Sequence, residues 1–345
     1  MDITKILARS IKLIYVLLGL SIVTILLFLF PSITGLFTSE NIKIDPETEQ
    51  AKQTLDSAFT NLWTAPAEWR LSTKPNKAEI LYGKELIAHT ARYLGPNGSV
   101  MSISNGLNCQ NCHLDAGSKP FGNNYFAVNS TYPKMRARSG KIEDKVKRIN
   151  DCFERSLNGS GLAADSKEMK AMIAYIDYLG EDVPKKEKPR GTGLFKIKEL
   201  NRALSKTNGE KIYLEKCQSC HGAEGQGVLT ADGKEYTYPP LWGAHSYNDG
   251  AGLYRMSNFA SYVKYNMPFG VSYENPQLTD EEAWDLAGYV NQMPRPSKDL
   301  SQDWPDISKK PFDHPFGPYK DPFPETQHKI GPYKPIKDWY KNNSK

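Results

Sequence analysis

Apolar residues recur along this chain in two similar series. In the first, Ile80, Ile87, Ala91 and Leu94 follow a helical period, and Asp165-Ser-Lys-Glu168 opens a later helix containing Ala174-Tyr-Ile176. In the second, Asn208-Gly-Glu-Lys-Ile-Tyr-Leu214 runs into Cys217, and Thr279-Asp-Glu-Glu282 starts a helix containing Gly288-Tyr-Val290. Thr279 with Glu282 fits a capping box, and Asp165 with Glu168 is a close variant. Cys109 and Cys217 are offset by 108 residues and Tyr175 and Tyr289 by 114, so the halves repeat one plan. Each half predicts a helix, a cysteine loop, an irregular wrap and a closing helix.

The flanking segments have different patterns. Leu13 to Phe30 is an 18-residue apolar run broken only by small or weakly polar residues, long enough to span a bilayer near the lower limit. Lys5, Arg9 and Lys12 precede it, and Glu40, Asp45 and Glu47 follow. That asymmetry predicts a cytoplasmic N-terminus, with the bulk of the chain on the periplasmic side of a bacterial inner membrane. A cleaved signal peptide, leaving a soluble periplasmic protein, is the competing reading. Pro31-Ser-Ile-Thr-Gly-Leu-Phe37 offers no clear small-residue cleavage site, which favours an uncleaved anchor over residues 1–37. The first domain is then assigned to 38–180 and the second to 208–294, joined by a Lys- and Pro-rich linker, 181–207. From Pro294 onward there are ten prolines, interleaved with aromatics such as Trp304, Phe316 and Tyr333. A disordered tail would be poorer in aromatics, so 295–345 is expected to pack over both domains, extended and without regular structure.

The cysteines define the chemistry. Cys109-Gln-Asn-Cys-His113 and Cys217-Gln-Ser-Cys-His221 are two copies of the C-x-x-C-H signature of c-type haem attachment. The thiols of Cys109 and Cys112, and of Cys217 and Cys220, would add across the haem vinyl groups. The adjacent His113 or His221 would turn back to bind iron. Half a zinc site or a thiol redox pair is the bland alternative for either copy, and two copies in an exported chain argue against both. The predicted fold is therefore mainly α: two tandem cytochrome c-like domains, an N-terminal transmembrane helix and an extended Pro-rich C-terminal wrap. Two covalently bound haem c are the expected cofactors. A formal charge of +5, with Lys and Arg spread along the chain, gives no reason to expect a nucleic-acid partner.

Of the five cysteines, Cys152 is left over. It is either a buried apolar filler or a thiolate bound to haem iron. The stretch Lys147 to Leu157 contains neither Pro nor Gly and is predicted helical. On a helix Arg148, Arg155 and Ser156 share the face of Cys152, an arrangement that favours the thiolate and forms an anion clamp. Arg136 and Arg138 would close the same pocket from a loop. Each arginine singly reads as a surface charge or a haem propionate partner; the set around an unexplained thiol is what suggests a site.

Arg148-Ile-Asn-Asp-Cys152-Phe-Glu-Arg-Ser-Leu-Asn-Gly159 resembles the segment around the haem-ligating cysteine of the dihaem thiosulfate dehydrogenases. Tyr238-Pro-Pro-Leu-Trp-Gly243, Asn248-Asp-Gly-Ala-Gly252, Asn266-Met-Pro268 and Gly288-Tyr-Val-Asn-Gln-Met-Pro-Arg295 are similar to that family too, and the resemblance spans roughly 75–335. It implies catalysis at the first haem, with His113 and Cys152 as iron ligands. Two thiosulfates would be joined into tetrathionate with release of two electrons, or the reverse. It further implies a pocket lined by Arg138, Arg148 and Ser156, and electron exit through the second haem to a periplasmic cytochrome c or a membrane respiratory carrier. Met267 is the best distal ligand for that second haem, because Asn-Met-Pro is a familiar cytochrome c context. Some family members have Lys where this chain has Asn266, and Lys264 or another residue replacing Met267 in one redox state stays open. Met256 and Met293 are weaker rivals, as are His89, His245, His314 and His328. The non-enzymatic alternative is a membrane-anchored dihaem electron shuttle to a terminal oxidase, which needs neither Cys152 nor the arginines. A dihaem peroxidase, needing a dissociable sixth ligand, is disfavoured by a cysteine cap.

Overall fold

The computed structural model describes residues 12–22, 24 and 60–343. The chain divides into two compact units, 1–57 and 58–345. In the first, residues 12–22 are helical and every described side chain is exposed. The predicted anchor run extends to Phe30, so much of it lies outside the described residues. Among those described, no helix is long and apolar enough to cross a membrane.

The second unit holds both halves of the repeat. Helices α1 (Lys77–Ala88), α2 (Lys145–Arg155) and α3 (Lys167–Leu179) build the first half, and α4 (Lys206–Lys216), α5 (Met256–Asn266) and α6 (Asp280–Val290) the second. In each half the leading helix crosses the closing one at a glycine. A Cβ on Gly83 would sit 1.9 Å from the Ala171 carbonyl oxygen, and one on Gly209 would sit 2.1 Å from that of Asp285. The next neighbours are Tyr175 and Tyr289, the repeat-related tyrosines. Only glycine allows the two backbones so close. Two cores result: Ile80, Leu86, Phe153, Met172 and Ile176 in the first half, and Tyr213, Phe259, Trp284 and Val290 in the second.

The caps follow local chemistry. Thr279 and Glu282 make both bonds of the expected capping box on α6. On α3 the cap is Ser166, whose hydroxyl accepts from the Met169 amide at 3.2 Å, rather than the expected Asp165. Helix α1 breaks at His89, and a short turn, Thr90–Leu94, carries the remaining periodic residues Ala91 and Leu94 into the core. Two small hairpins complete the halves: β1 (Lys134–Arg136) with β2 (Lys141–Glu143), and β3 (Val228–Leu229) with β4 (Tyr236–Tyr238).

The tail departs from expectation. It packs on the molecule, but it contains regular structure: a helical turn Glu325–Ile330 and α7 (Lys334–Asn343). Tyr333 and Ile336 are buried in the second core, with the Tyr333 ring 5.4 Å from that of Trp284. That apolar docking stabilises a segment whose composition alone suggested an irregular wrap. Residues 181–207 also bond to both halves. The Gly191 and Gly193 carbonyls accept from the Phe121 and Asn123 amides, and the Lys198 carbonyl from Trp284 Nε1.

Candidate active site

The two cysteine motifs fold alike. In the first, the Cys109 carbonyl accepts from the Cys112 and His113 amides at 3.2 and 3.0 Å; in the second, that of Cys217 accepts from Cys220 and His221 at 3.2 and 2.9 Å. One tight turn thereby gathers two thiols and an imidazole. His113 Nδ1 donates to the Asn123 carbonyl at 2.5 Å and His221 Nδ1 to that of Pro239 at 2.8 Å, which leaves each Nε2 lone pair free for iron. Burial lowers the His113 pKa to about 4 and also lowers that of His221, so both imidazoles are neutral, the form that ligates.

A cavity of about 560 Å³ opens beside the first motif, and Cys109, His113, Tyr125, Tyr132, Arg148 and Cys152 are among its walls. That size suits a cofactor, and a neutral imidazole and a thiol in one cavity are a donor set for haem iron. Its rim is basic. The Lys134 pKa falls to about 8 through burial and then the neighbouring charges of Arg136, Lys188 and Arg148, which fits the carboxylates of a bound haem. Beside the second motif, Cys217, His221 and Met267 line one narrower, mainly apolar cleft with Tyr213 and Tyr262. None of the other ligand candidates lines that cleft. Lys264 pairs with Asp280 at 2.8 Å, Met256 is core, and Met293 packs on the second core. His89 bonds Glu235, His328 bonds Asp321, and His245 is exposed.

Next to the first cavity lies another, of about 330 Å³, with a polar, basic lining. Arg138, Arg148, Cys152 and Ser156 all face it, and Cys152 and Arg148 belong to both cavities. Helix α2 explains the cluster: Asp144 caps its start, accepting from the Lys147 amide at 2.8 Å, and the helical period aligns Arg148, Cys152 and Ser156. Cys152 is the strongest electrostatic influence on Arg148 and raises its pKa.

Arg155 behaves differently from the expected clamp. It lines the cavity but makes a two-pronged pair with Asp303 of the tail at 2.8 and 2.9 Å. Sequence reasoning also missed Arg255, Trp304 and Lys309 as wall residues, and it set His314 aside as spare. They come from the second half and the tail, distant in sequence. The one signal was the density of aromatics around Asp313-His314.

The halves meet where the sites approach. Tyr262 of α5 donates to the carbonyl of Asn111, inside the first cysteine motif, at 2.7 Å, and Cys112 lines the second cleft as well as the polar cavity.

Comparisons with known proteins identify both halves. A family model described as SoxA/TsdA, cytochrome c domain, matches residues 100–184, and one described as Cytochrome c matches 207–294. The thiosulfate dehydrogenase of Psychrobacter arcticus is 40% identical over 229 residues, covering 66% of this chain and 67% of that protein. That of Allochromatium vinosum is 39% identical, covering 61% of this chain and 79% of the relative. That of Stutzerimonas stutzeri is 31% identical, covering 77% and 83%. A solved thiosulfate dehydrogenase (TsdBA) from Marichromatium purpuratum, in its as-isolated form, superposes with a TM-score of 0.64 at 29% identity. The match takes in 73% of this chain and about half, 52%, of that longer one. With two C-x-x-C-H turns, two cytochrome c domains and two covalently bound haem c, the chain belongs to the thiosulfate dehydrogenase family.

Proposed function

We propose that this protein is an oxidoreductase interconverting two thiosulfate ions and one tetrathionate plus two electrons, with the sulfur chemistry at Cys152. The observation that carries the reading is that Cys152 lines both the cavity of the first motif and the adjoining basic cavity. His113 lines both as well, but Cys152 is the thiol of the pair, the group that can bond to a thiosulfate sulfur, and it stands beside Arg148 in the basic cavity. When bound, the two haems would carry the electrons; His113 and Cys152 would hold the first iron and His221 and Met267 the second, where a methionine favours the higher potential.

The chain's own residues account for the rest. Thiosulfate is a dianion, and two of them bring four negative charges into one pocket. Arg138 and Arg148 offset that repulsion as fixed donors, and the Ser156 hydroxyl adds a neutral one. The Cys152 thiolate bonds to the terminal sulfur of the first thiosulfate with loss of two electrons, leaving a Cys–S–S–SO₃⁻ adduct. The terminal sulfur of the second thiosulfate attacks that sulfane sulfur, the thiolate leaves, and tetrathionate is released. Each bond is accounted for, and Cys152 is regenerated. The reverse sequence reduces tetrathionate.

Electrons pass on to a periplasmic cytochrome c or a membrane carrier, and residues 1–37 tether the enzyme to the periplasmic face of the inner membrane. The exposed apolar helix over residues 12–22 supports the tether. Recovery of the full chain in the soluble fraction of cells expressing it would refute that part. The activity is tested with purified, haem-loaded protein: thiosulfate with an artificial acceptor, and tetrathionate with a reduced donor. Turnover in either direction is expected. Turnover in neither would leave the electron-shuttle reading.

A further inference from the structure

The tail treats the three arginines of the basic cavity unequally. Both oxygens of Asp303 are taken by Arg155, so that guanidinium is neutralised, and Asp303 approaches Arg138 Nε only to 3.7 Å. Arg138 shares that carboxylate only at this longer distance, and its hydrogen bonds and ring contact are to neutral groups. Its Nη1 donates to the Gly250 carbonyl at 2.6 Å, its guanidinium lies 4.6 Å over the Trp304 ring, and its Nη2 faces His314 Nε2 at 3.5 Å. The Arg138 carbonyl in turn accepts from the Trp304 amide at 2.6 Å.

His314 is fully buried, and its Nδ1 is a buried nitrogen without a hydrogen-bond partner among the described residues. Such an orphan is uncommon and calls for a reason. Its ring is fixed edge-on by Trp304 at 4.4 Å and by Phe316 at 5.2 Å. The preceding residue, Asp313, is pinned by Arg255 at 2.7 Å and by the Ser257 amide at 3.0 Å, and the His314 carbonyl accepts from Tyr319. A guanidinium only donates, so a hydrogen bond at this contact assigns the lone pair to Nε2. Nδ1 then carries the hydrogen, and the ring is neutral.

We propose that His314 is a positioning residue of the anion pocket: it steadies the Arg138 guanidinium with an uncharged acceptor and so adds no negative charge beyond the more distant Asp303, which keeps the arginine available to the substrate. A carboxylate at this place would hold Arg138 more firmly but would cancel its charge, as Asp303 does for Arg155. The tail thus retires one arginine and keeps another active. This inference rests on the thiosulfate reading above, and it extends the site to a residue far along the chain from the cysteine motifs.

The test uses the haem-loaded full chain and three variants, H314Q, H314E and H314L, with initial rates measured over thiosulfate and, separately, tetrathionate. Glutamine and glutamate share shape and an acceptor oxygen but differ in charge. H314Q is expected to keep KM within about twofold of the parent, whereas H314E raises it about tenfold or more, as for a cancelled steering and binding charge. H314L is expected to fall between them, and KM should move more than kcat. Limited proteolysis of the tail, read beside haem absorbance, separates loss of position from loss of folding. Equal KM values for H314Q and H314E would overturn the proposal, as would an H314Q defect as large as that of H314L with the tail still docked. Should H314E fail to fold, the H314Q and H314L pair carries the same decision. A parent protein inactive with both substrates would instead refute the thiosulfate reading itself.

Discussion

The first and second halves share a turn, a glycine crossing and a pair of terminal helices, yet their cavities differ in kind. Lys134, Arg136, Lys145, Arg148 and Lys188 stand around the first, and a basic chamber adjoins it. Around the second, Lys216 is the one ionised group among the described residues, beside apolar and tyrosine side chains. On the reading proposed above, the charged chamber admits and reacts anions, and the narrower apolar cleft serves electron transfer. One scaffold thus carries two unlike cavities, and the difference lies in the segment between each histidine and its closing helix. Each half places a hairpin and then a helix there; in the first the hairpin and α2 bring the arginines and Cys152, whereas in the second the helix is α5, which leads to Met267.

The sharpest way to break this contrast is to remove the thiol. Cys152→Ala should lower thiosulfate oxidation by at least about 10³-fold, since nucleophile and ligand are lost together. Electron paramagnetic resonance of the oxidised parent should show a low-spin thiolate signal, absent from the variant. Retained turnover without the signal would make Cys152 a ligand only; an unchanged spectrum would make it a filler. Next come the fixed charges. Arg138→Ala or Arg148→Ala should each cost about 10²-fold in turnover, near 3 kcal/mol for one preorganised donor, with haem content unchanged. Wild-type rates in both variants would mean that the basic chamber is not where the anions react.

Much of this contrast is legible in the sequence because it is local. C-x-x-C-H dictates its own turn, the Thr279/Glu282 box starts α6 where expected, and the helical period alone aligns Arg148, Cys152 and Ser156 on one face of α2. What escapes is set by long-range partners. Arg155 sits on the right helical face, but Asp303, 148 residues away, decides its charge. The Asp165 cap gave way to Ser166, a one-residue shift that spacing cannot resolve. The helices of the tail depend on Tyr333 and Ile336 finding the second core, which a Pro-rich composition conceals.

From the other side, Met267→Gly should lower the potential of the second haem by roughly 100 mV, a fraction of the ~0.8 V range that axial ligands span. It should leave the thiolate signal of the first haem intact and shift the balance of the two reaction directions by less than the arginine variants cost. Spectroelectrochemical titration reads the potentials. Two unmoved potentials would remove Met267 as the ligand and, with it, the case for a relay site in the second half.

The smallest expected effect concerns how the tail's grip on the first half depends on pH. Burial first, then Arg138, pushes the His314 pKa well below its usual value; Arg255 and Lys310 act the same way, while Asp313 opposes them. Trp304 and Phe316, which complete the packing around the ring, carry no charge. The unfolded chain therefore takes up a proton on His314 near pH 6.5, whereas the folded chain does so only at much lower pH. With more protons bound in the unfolded state, stability is full above about pH 6.5 and declines as the pH falls toward the folded value, by at most about 1.4 kcal/mol per pH unit for this group. Asp313 adds nothing in that window. Burial would raise its pKa, but Arg255 and Ser257 hold it at about 2, so its own contribution is lost only below about pH 4. Denaturant unfolding of parent and H314Q between pH 7.5 and 5 should accordingly show the parent losing stability relative to the variant as the pH falls, because glutamine takes up no proton. The haem ligands and every other titrating group are common to both proteins, so the difference between the two slopes isolates His314. Parallel curves would mean that the ring takes up its proton in place near pH 6.5, so that the neutral acceptor assigned to Arg138 would be lost below that pH.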